Sequence, residues 1–210
     1  MANYEEYGRQ FASVYDALFP RSQVTAEYIA VDVSSEMLSG LKANDHDQLI
    51  TPLKADFVSD RLPGPADLII CVCATLGMVI DPSAQQDAIS HAADSLAPGG
   101  TLIVETHNPS VVRDMHVETR MTLAVPYEGD RRALVSFSQL EDPAWRVEHC
   151  WIDAGRATFM QECSRLTELA EIDTYATTAG LQRIGHYSGL AGRELDPRAP
   201  LVSGSYRRIA

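Results

Sequence analysis

The sequence predicts an α/β fold with a mostly parallel sheet, an antiparallel β insertion and a final antiparallel strand pair. Three observations carry this. Asp67-Leu-Ile-Ile-Cys-Val-Cys73 and Thr101-Leu-Ile-Val-Glu105 are near-continuous apolar runs, the pattern of strands buried on both faces. Between them lies an amphipathic helical pattern over Gln85–Leu96, so strand, helix and strand form a right-handed βαβ unit. From about Arg120 the pattern changes to alternating runs separated by turn residues.

Taken in order, Tyr7, Phe11, Val14, Tyr15 and Leu18 recur at helical spacing, predicting a helix over Tyr4–Leu18 that Pro20 ends. Tyr28–Val33 reads as an apolar strand with Asp32 at its tip. Ser34 or Ser35 caps the helix that follows, with Glu36, Met37, Leu38 and Leu41 after it. Leu49–Leu53 is a short strand. Pro98-Gly99-Gly100 stops the Gln85–Leu96 helix and turns the chain. Thr119–Val125, Ala133–Leu140, Arg146–Asp153 and Thr158–Arg165 predict an antiparallel meander, with Glu128-Gly-Asp, Asp142-Pro and Ala154-Gly155 as its turns. Leu166–Ala179 is helical and ends at Gly180; Leu181–Leu190 and Leu201–Arg207 form the last strand pair. The chain is read as one domain: 1–27 an N-terminal helical segment, 28–118 the core, 119–165 the β insertion, and 166–210 the closing helix and strands.

Composition narrows the function. With a net charge of −12 and basic residues only in pairs such as Arg131-Arg132 and Arg207-Arg208, a nucleic-acid partner is not expected. No apolar run approaches a membrane span, and Met-Ala-Asn-Tyr-Glu-Glu-Tyr is not a signal peptide, so a cytoplasmic location is expected. Cys71 and Cys73 share a strand face, and with Cys150 and Cys163 they read as reduced thiols; no metal site is expected.

Tyr28–Asp32 and the capped helix after it are half of a nucleotide site. The acidic residue at such a strand tip takes a ribose hydroxyl, and a strand, a glycine-rich turn and a helix should precede it by about 20 residues. None does: before Gly64 the only glycines are Gly8 and Gly40.

Several segments, in order, resemble class I S-adenosylmethionine-dependent methyltransferases of small molecules. They are Val-Asp32-Val-Ser-Ser with Met37-Leu38, Ala55-Asp56-Phe57, Asp67–Cys73 with Ala74-Thr75-Leu76, and Leu96-Ala-Pro-Gly-Gly-Thr-Leu-Ile-Val-Glu105. Tyr15-Asp16-Ala-Leu-Phe19 resembles the family's segment that closes over the cofactor. The resemblance runs from Tyr4 to Arg208 and implies a Rossmann-like sheet. The departure is the family's central first strand, its Gly-x-Gly-x-Gly turn and the next helix, which belong between about Val24 and Ile29. Glycines there let backbone approach the cofactor's methionine end. Three explanations stay open: residues omitted from the sequence, a sheet closed by pairing Tyr28–Val33 with Asp67–Cys73, or a partner supplying the strand.

The resemblance implies S-adenosylmethionine as cofactor if the glycine-rich segment exists in the molecule, and otherwise none. It assigns Asp32 to the ribose hydroxyls, and Asp56, Phe57, Cys73, Ala74 and Tyr15 to the rest of the cofactor site. His107, just after the fifth family strand, is the candidate general base. Thr75, Tyr127, His149 and Trp151 are candidate substrate contacts. Each has a plainer reading as packing or turn chemistry, and no Ser-His-Asp or Cys-His constellation stands out. The expected reaction is methyl transfer to an O, N or C nucleophile of a small molecule. The alternatives are a cyclase or rearrangement enzyme on the same scaffold, or a non-catalytic subunit. A homodimer, or a partner that supplies a strand, also fits.

Overall fold

The computed structural model describes residues 28–127 and 131–209. The predicted Tyr4–Leu18 helix, Tyr15, the Glu128–Asp130 turn and most of the junction between Val24 and Ile29 lie outside the described residues. The chain divides into two compact units. The first holds residues up to Asp56 with Thr122–Ser138 and Val147–Glu162; the second holds Phe57–Met121, Gln139–Arg146 and Cys163 onward.

In the first unit, β1 (Tyr28–Asp32) pairs in parallel with β2 (Ile50–Lys54), joined by α1 (Ser35–Asn44). Ser34 caps α1, its Oγ accepting from the Met37 amide at 3.2 Å. Asp45 closes the return to β2, its carboxylate accepting from the amides of Leu49 (3.0 Å) and Ile50 (2.9 Å). The Ser34 hydroxyl satisfies an amide that the start of the helix leaves open, and the Asp45 carboxylate serves two amides at the entry to β2.

The second unit contains a five-stranded sheet in the order β10-β9-β11-β4-β3. Its members are β3 (Ala66–Cys71), β4 (Leu96–His107), β9 (Leu181–Ser188), β10 (Arg193–Glu194) and β11 (Leu201–Arg208). Only β3 and β4 are parallel; β11 is antiparallel to both β4 and β9, and β10 to β9. The sheets are therefore mixed rather than mostly parallel. The reason is that the C-terminal segment adds three antiparallel strands, while among the described residues β3 gains no neighbour on its other side. Among the described residues β1 is paired with β2, and β3 with β4, rather than Tyr28–Val33 with Asp67–Cys73. Leu68 and Ile70 on β3 are 50% and 49% exposed.

The remaining elements are α2 (Thr75–Met78), α3 (Pro82–Ser95), α4 (Pro109–Met115) and α5 (Leu169–Thr178), with β5 (Arg120–Pro126), β6 (Arg132–Glu141), β7 (Ala144–Asp153) and β8 (Arg156–Arg165) in a sheet of that same order. Connections of two residues between β6, β7 and β8 are the lengths that join antiparallel neighbours.

Pro98-Gly99-Gly100 is not a free turn; it lies within β4, where the pairing with β3 shifts register. Gly99 sits at φ +79°, and a Cβ on Gly100 would lie 2.9 Å from the carbonyl oxygens of Ala66 and Ala97. Glycine is therefore required at both positions, one for its backbone angle and the other for its close approach.

The main core gathers Ala88, Ile89, Ala92 and Leu96, Leu102 and Val104 of β4, Ile172 and Ala176 of α5, and Tyr206 of β11. Arg208, beyond that tyrosine on β11, ends α3: its Nη1 donates to the carbonyls of Ala93 and Asp94 at 3.0 Å and to that of Leu96. A cation on a helix C-terminus satisfies the last carbonyls and the dipole together. Arg208→Ala is expected to cost about 1–2 kcal/mol. A melting scan should show a fall of roughly 2–8 °C, and Arg208→Lys should recover part of it.

Candidate functional site

In the first unit the site is the tip of β1. Asp32 ends the strand, and its Oδ1 accepts from the Ser34 amide at 2.7 Å. Its own carbonyl accepts from the Ala55 amide at 3.2 Å, which locks β1 against β2 at this point. Burial raises the Asp32 carboxyl above the ordinary value, partly offset by the amides of Ser34 and Val33. The result is a half-buried carboxylate fixed at a strand exit and able to accept hydroxyl donors.

The meander segments of the same unit contain three of the predicted substrate residues. Trp151 is buried with Met160, and Tyr127 packs against it edge-on with ring centroids 5.1 Å apart. Both therefore act as packing for that sheet. His149 Nδ1 lies 2.8 Å from Ser136 Oγ, and its Nε2 lies 3.8 Å from Glu162 Oε1. This Ser-His-Glu row, drawn from three strands, was not legible in the sequence because its members stand 13 residues apart. The buried Ser136 hydroxyl and the imidazole satisfy one another inside the sheet.

In the second unit the site lies at the exits of β3 and β4. Cys73 and Ala74 both hold φ +55°, the left-handed region that residues with a Cβ rarely adopt. Two consecutive residues in that region cost about 1–2 kcal/mol each, so neighbouring groups must hold them there. Thr75 does so from one side: its amide (3.1 Å) and Oγ1 (2.7 Å) both donate to the Val72 carbonyl. Glu105 of β4 does so from the other, its Oε2 accepting from the Cys73 amide at 3.0 Å. Behind the turn, buried Gln85 donates from Nε2 to the carbonyls of Leu76 (3.1 Å) and Val79 (2.8 Å), while its Oε1 accepts from Thr167 Oγ1 at 3.0 Å.

Burial pushes the Cys71 thiol up to about 11. Burial and the Glu105 charge also raise Cys73, although that residue is exposed. Both thiols are therefore protonated near neutral pH, which sets aside a thiolate nucleophile. Phe57 packs on the main core, while Asp56 ends the first unit just after β2.

His107 is the last residue of β4. Its ring meets Trp145 edge-on with centroids 4.8 Å apart, and this contact orients the imidazole. Asn108 then caps α4 and anchors the next loop: its Nδ2 donates to the carbonyls of Pro197 (2.8 Å) and Ala199 (2.9 Å). The Asn-Pro-Ser sequence signals that cap, but the reach to residues 89 and 91 positions away is invisible in sequence.

Residues 8–150 match the family model described as a methyltransferase domain. The chain belongs to this methyltransferase domain family. The fold agrees with solved methyltransferase structures. The CcbJ methyltransferase from Streptomyces caelestis is similar at 21% identity and TM-score 0.84, with 100% of both chains covered. An S-adenosylmethionine-dependent methyltransferase from Clostridium acetobutylicum is similar at 14% identity and TM-score 0.76, covering 100% of this chain and 93% of that one. The S-adenosylmethionine-bound amino pentose methyltransferase CalS10 from Micromonospora echinaspora is similar at 17% identity and TM-score 0.59, covering 97% of this chain and 92% of that one. No curated protein matches.

At the tip of β1 the Asp32 carboxylate is a fixed acceptor, of the chemistry that the ribose hydroxyls of an adenosylated cofactor would need. At the methionine end no glycine cradle is found among the described residues. Gly40 stands on α1 with nothing near its would-be Cβ, so it is not a glycine of close approach.

Proposed function

We propose that this methyltransferase uses S-adenosylmethionine to methylate a small molecule at an oxygen, nitrogen or carbon nucleophile. The observation that carries the reading is the family match over residues 8–150, together with a fixed strand-tip carboxylate at Asp32. The cofactor supplies, when bound, an electrophilic methyl group on a sulfonium sulfur. Asp32 accepts the ribose hydroxyls. Asp56, Phe57, Cys73 and Ala74 contribute shape and backbone along the adenosine, and Tyr15 belongs to the same set by resemblance. His107 takes the proton released by the acceptor, and Thr75 offers its hydroxyl oxygen to it. Transfer needs nucleophile, methyl and sulfur in line, so most of the catalytic effect is positioning.

A small acceptor suits the net charge of −12, which disfavours polyanions. The similarity to an amino pentose methyltransferase makes amino sugars the first acceptors to assay. His149 belongs to the acceptor side of this reading, with Tyr127 and Trp151 shaping the sheet behind it.

Isothermal titration with S-adenosylmethionine tests the proposal. Binding is expected in the wild type, weakened roughly 10–100-fold in Asp32→Ala and less in Asp32→Asn, which keeps an acceptor for the Ser34 amide. No heat and no thermal shift at millimolar ligand would reject the reading. The result would then favour the versions without methyl transfer, a cyclase or a partner subunit.

A further inference from the structure

We infer that Glu105 is a positioning residue for the proposed cofactor site, acting through the left-handed turn at Cys73–Ala74; the inference rests on the reading above. Glu105 stands at the end of an apolar strand and is 5% exposed. Burying a carboxylate is costly unless it is engaged. Its Oε2 is engaged by the Cys73 amide at 3.0 Å. That amide belongs to the first of two consecutive residues at φ +55°, and neither is glycine.

The carboxylate has a firm seat. Ser203 of β11 lies opposite Glu105 in the ladder, and Ser203 Oγ donates to the Gly189 carbonyl at 2.6 Å. Gly189 flanks the carboxylate, and an added Cβ there would lie 3.8 Å from Oε1. Cys71 and Val104 pair just below, so the turn springs from a rigid ladder. Thr75 and Gln85 fix the far side of the turn through carbonyls; among the described contacts Glu105 alone restrains the Cys73 amide. In open α/β sheets ligands lie beyond the strand C-termini, where this turn stands. Strained backbone in such a place marks a shape that the site uses.

The test compares Glu105→Gln and Glu105→Ala with the wild type, by amide hydrogen exchange of residues 72–76 without ligand and by titration with S-adenosylmethionine and S-adenosylhomocysteine. Glu105→Ala should speed exchange at Cys73 by roughly tenfold or more and weaken both ligands by about tenfold. Glu105→Gln retains an acceptor oxygen and should fall between, with exchange and affinity changing in the same order. Cys73→Gly, which takes φ +55° without a Cβ clash, should reduce the effect of Glu105→Ala on affinity. Unchanged exchange in a folded Glu105→Ala would overturn the inference. Faster exchange with unchanged affinity would overturn it as well, because the turn would then not belong to the ligand site. If the wild type binds neither ligand, the cofactor reading fails, and with it the positioning role, while the exchange data still report whether the carboxylate holds the turn.

Discussion

His107→Gln is expected to lower kcat for methyl transfer by about 10²–10⁴-fold, the range for loss of a positioned general base, while S-adenosylmethionine affinity stays within about twofold of the wild type. The residue ends β4, and the Trp145 edge contact orients its ring, so the base would be fixed before substrate arrives. Glutamine keeps much of the ring's volume and polarity without its basicity. The wild-type rate should rise with pH as the imidazole loses its proton, and the variant should lose that limb of the profile. If kcat is unchanged and only KM rises, His107 merely contacts substrate. If the variant melts far below the wild type, its packing on Trp145 is its main role.

Asp173→Ala is expected to be the most destabilising single substitution considered, at about 2–4 kcal/mol, or roughly 4–16 °C in melting temperature. One carboxylate on α5 serves three donors. Its Oδ1 accepts from Tyr206 Oη and from His186 Nε2, both at 2.9 Å, and its Oδ2 accepts from Arg183 at 2.7 Å. Tyr206 is fully buried, and burial together with the Asp173 charge raises its hydroxyl far above the ordinary value. Without Asp173 that hydroxyl loses its partner in the core, whereas exposed Arg183 loses little.

The acid dependence follows from the same contacts. Burial tends to raise the Asp173 carboxyl, but hydrogen bonds from His186, Tyr206 and Arg183 outweigh it and hold it below the ordinary value. A group lowered on folding contributes stability above its unfolded pKa, about 3.9, and that contribution is lost as pH falls through the folded value. Urea unfolding from pH 7 down to about pH 3 should show this loss in the wild type. Asp173→Asn should be less stable at neutral pH and flatter below about pH 4; an equal acid slope in both proteins would remove Asp173 from the account.

Helix and strand positions were readable wherever local chemistry decides them. Ser34 before α1, Gly180 after α5 and the apolar runs of β3 and β4 all carry their own signals. Pro98-Gly99-Gly100 looked like a turn because glycine marks both turns and bulges; only the shifted register with β3 separates the two. The mixed sheet was harder, because strand order depends on partners distant in the chain. Among site residues, Asp32 was legible as an acid at a strand tip. Glu105 also had a signal, a charge closing an apolar run, but its use is set by the Cys73 amide 32 residues away. His149, Tyr127 and Trp151 are candidate substrate contacts by sequence; which of them pack and which pair with Ser136 is decided by neighbouring strands.

Among the described residues β3 is paired on one side, and this bears on how the purified molecule behaves in bulk. A strand paired on one side, with Leu68 and Ile70 half exposed, is an edge that another chain can extend. Asp67 supplies the only formal charge within β3. The net charge of −12 adds a long-range repulsion between copies of the chain. Salt shortens that repulsion, from about 10 Å at 0.1 M to about 3 Å at 1 M, so colloidal stability here is a property of the buffer as much as of the fold.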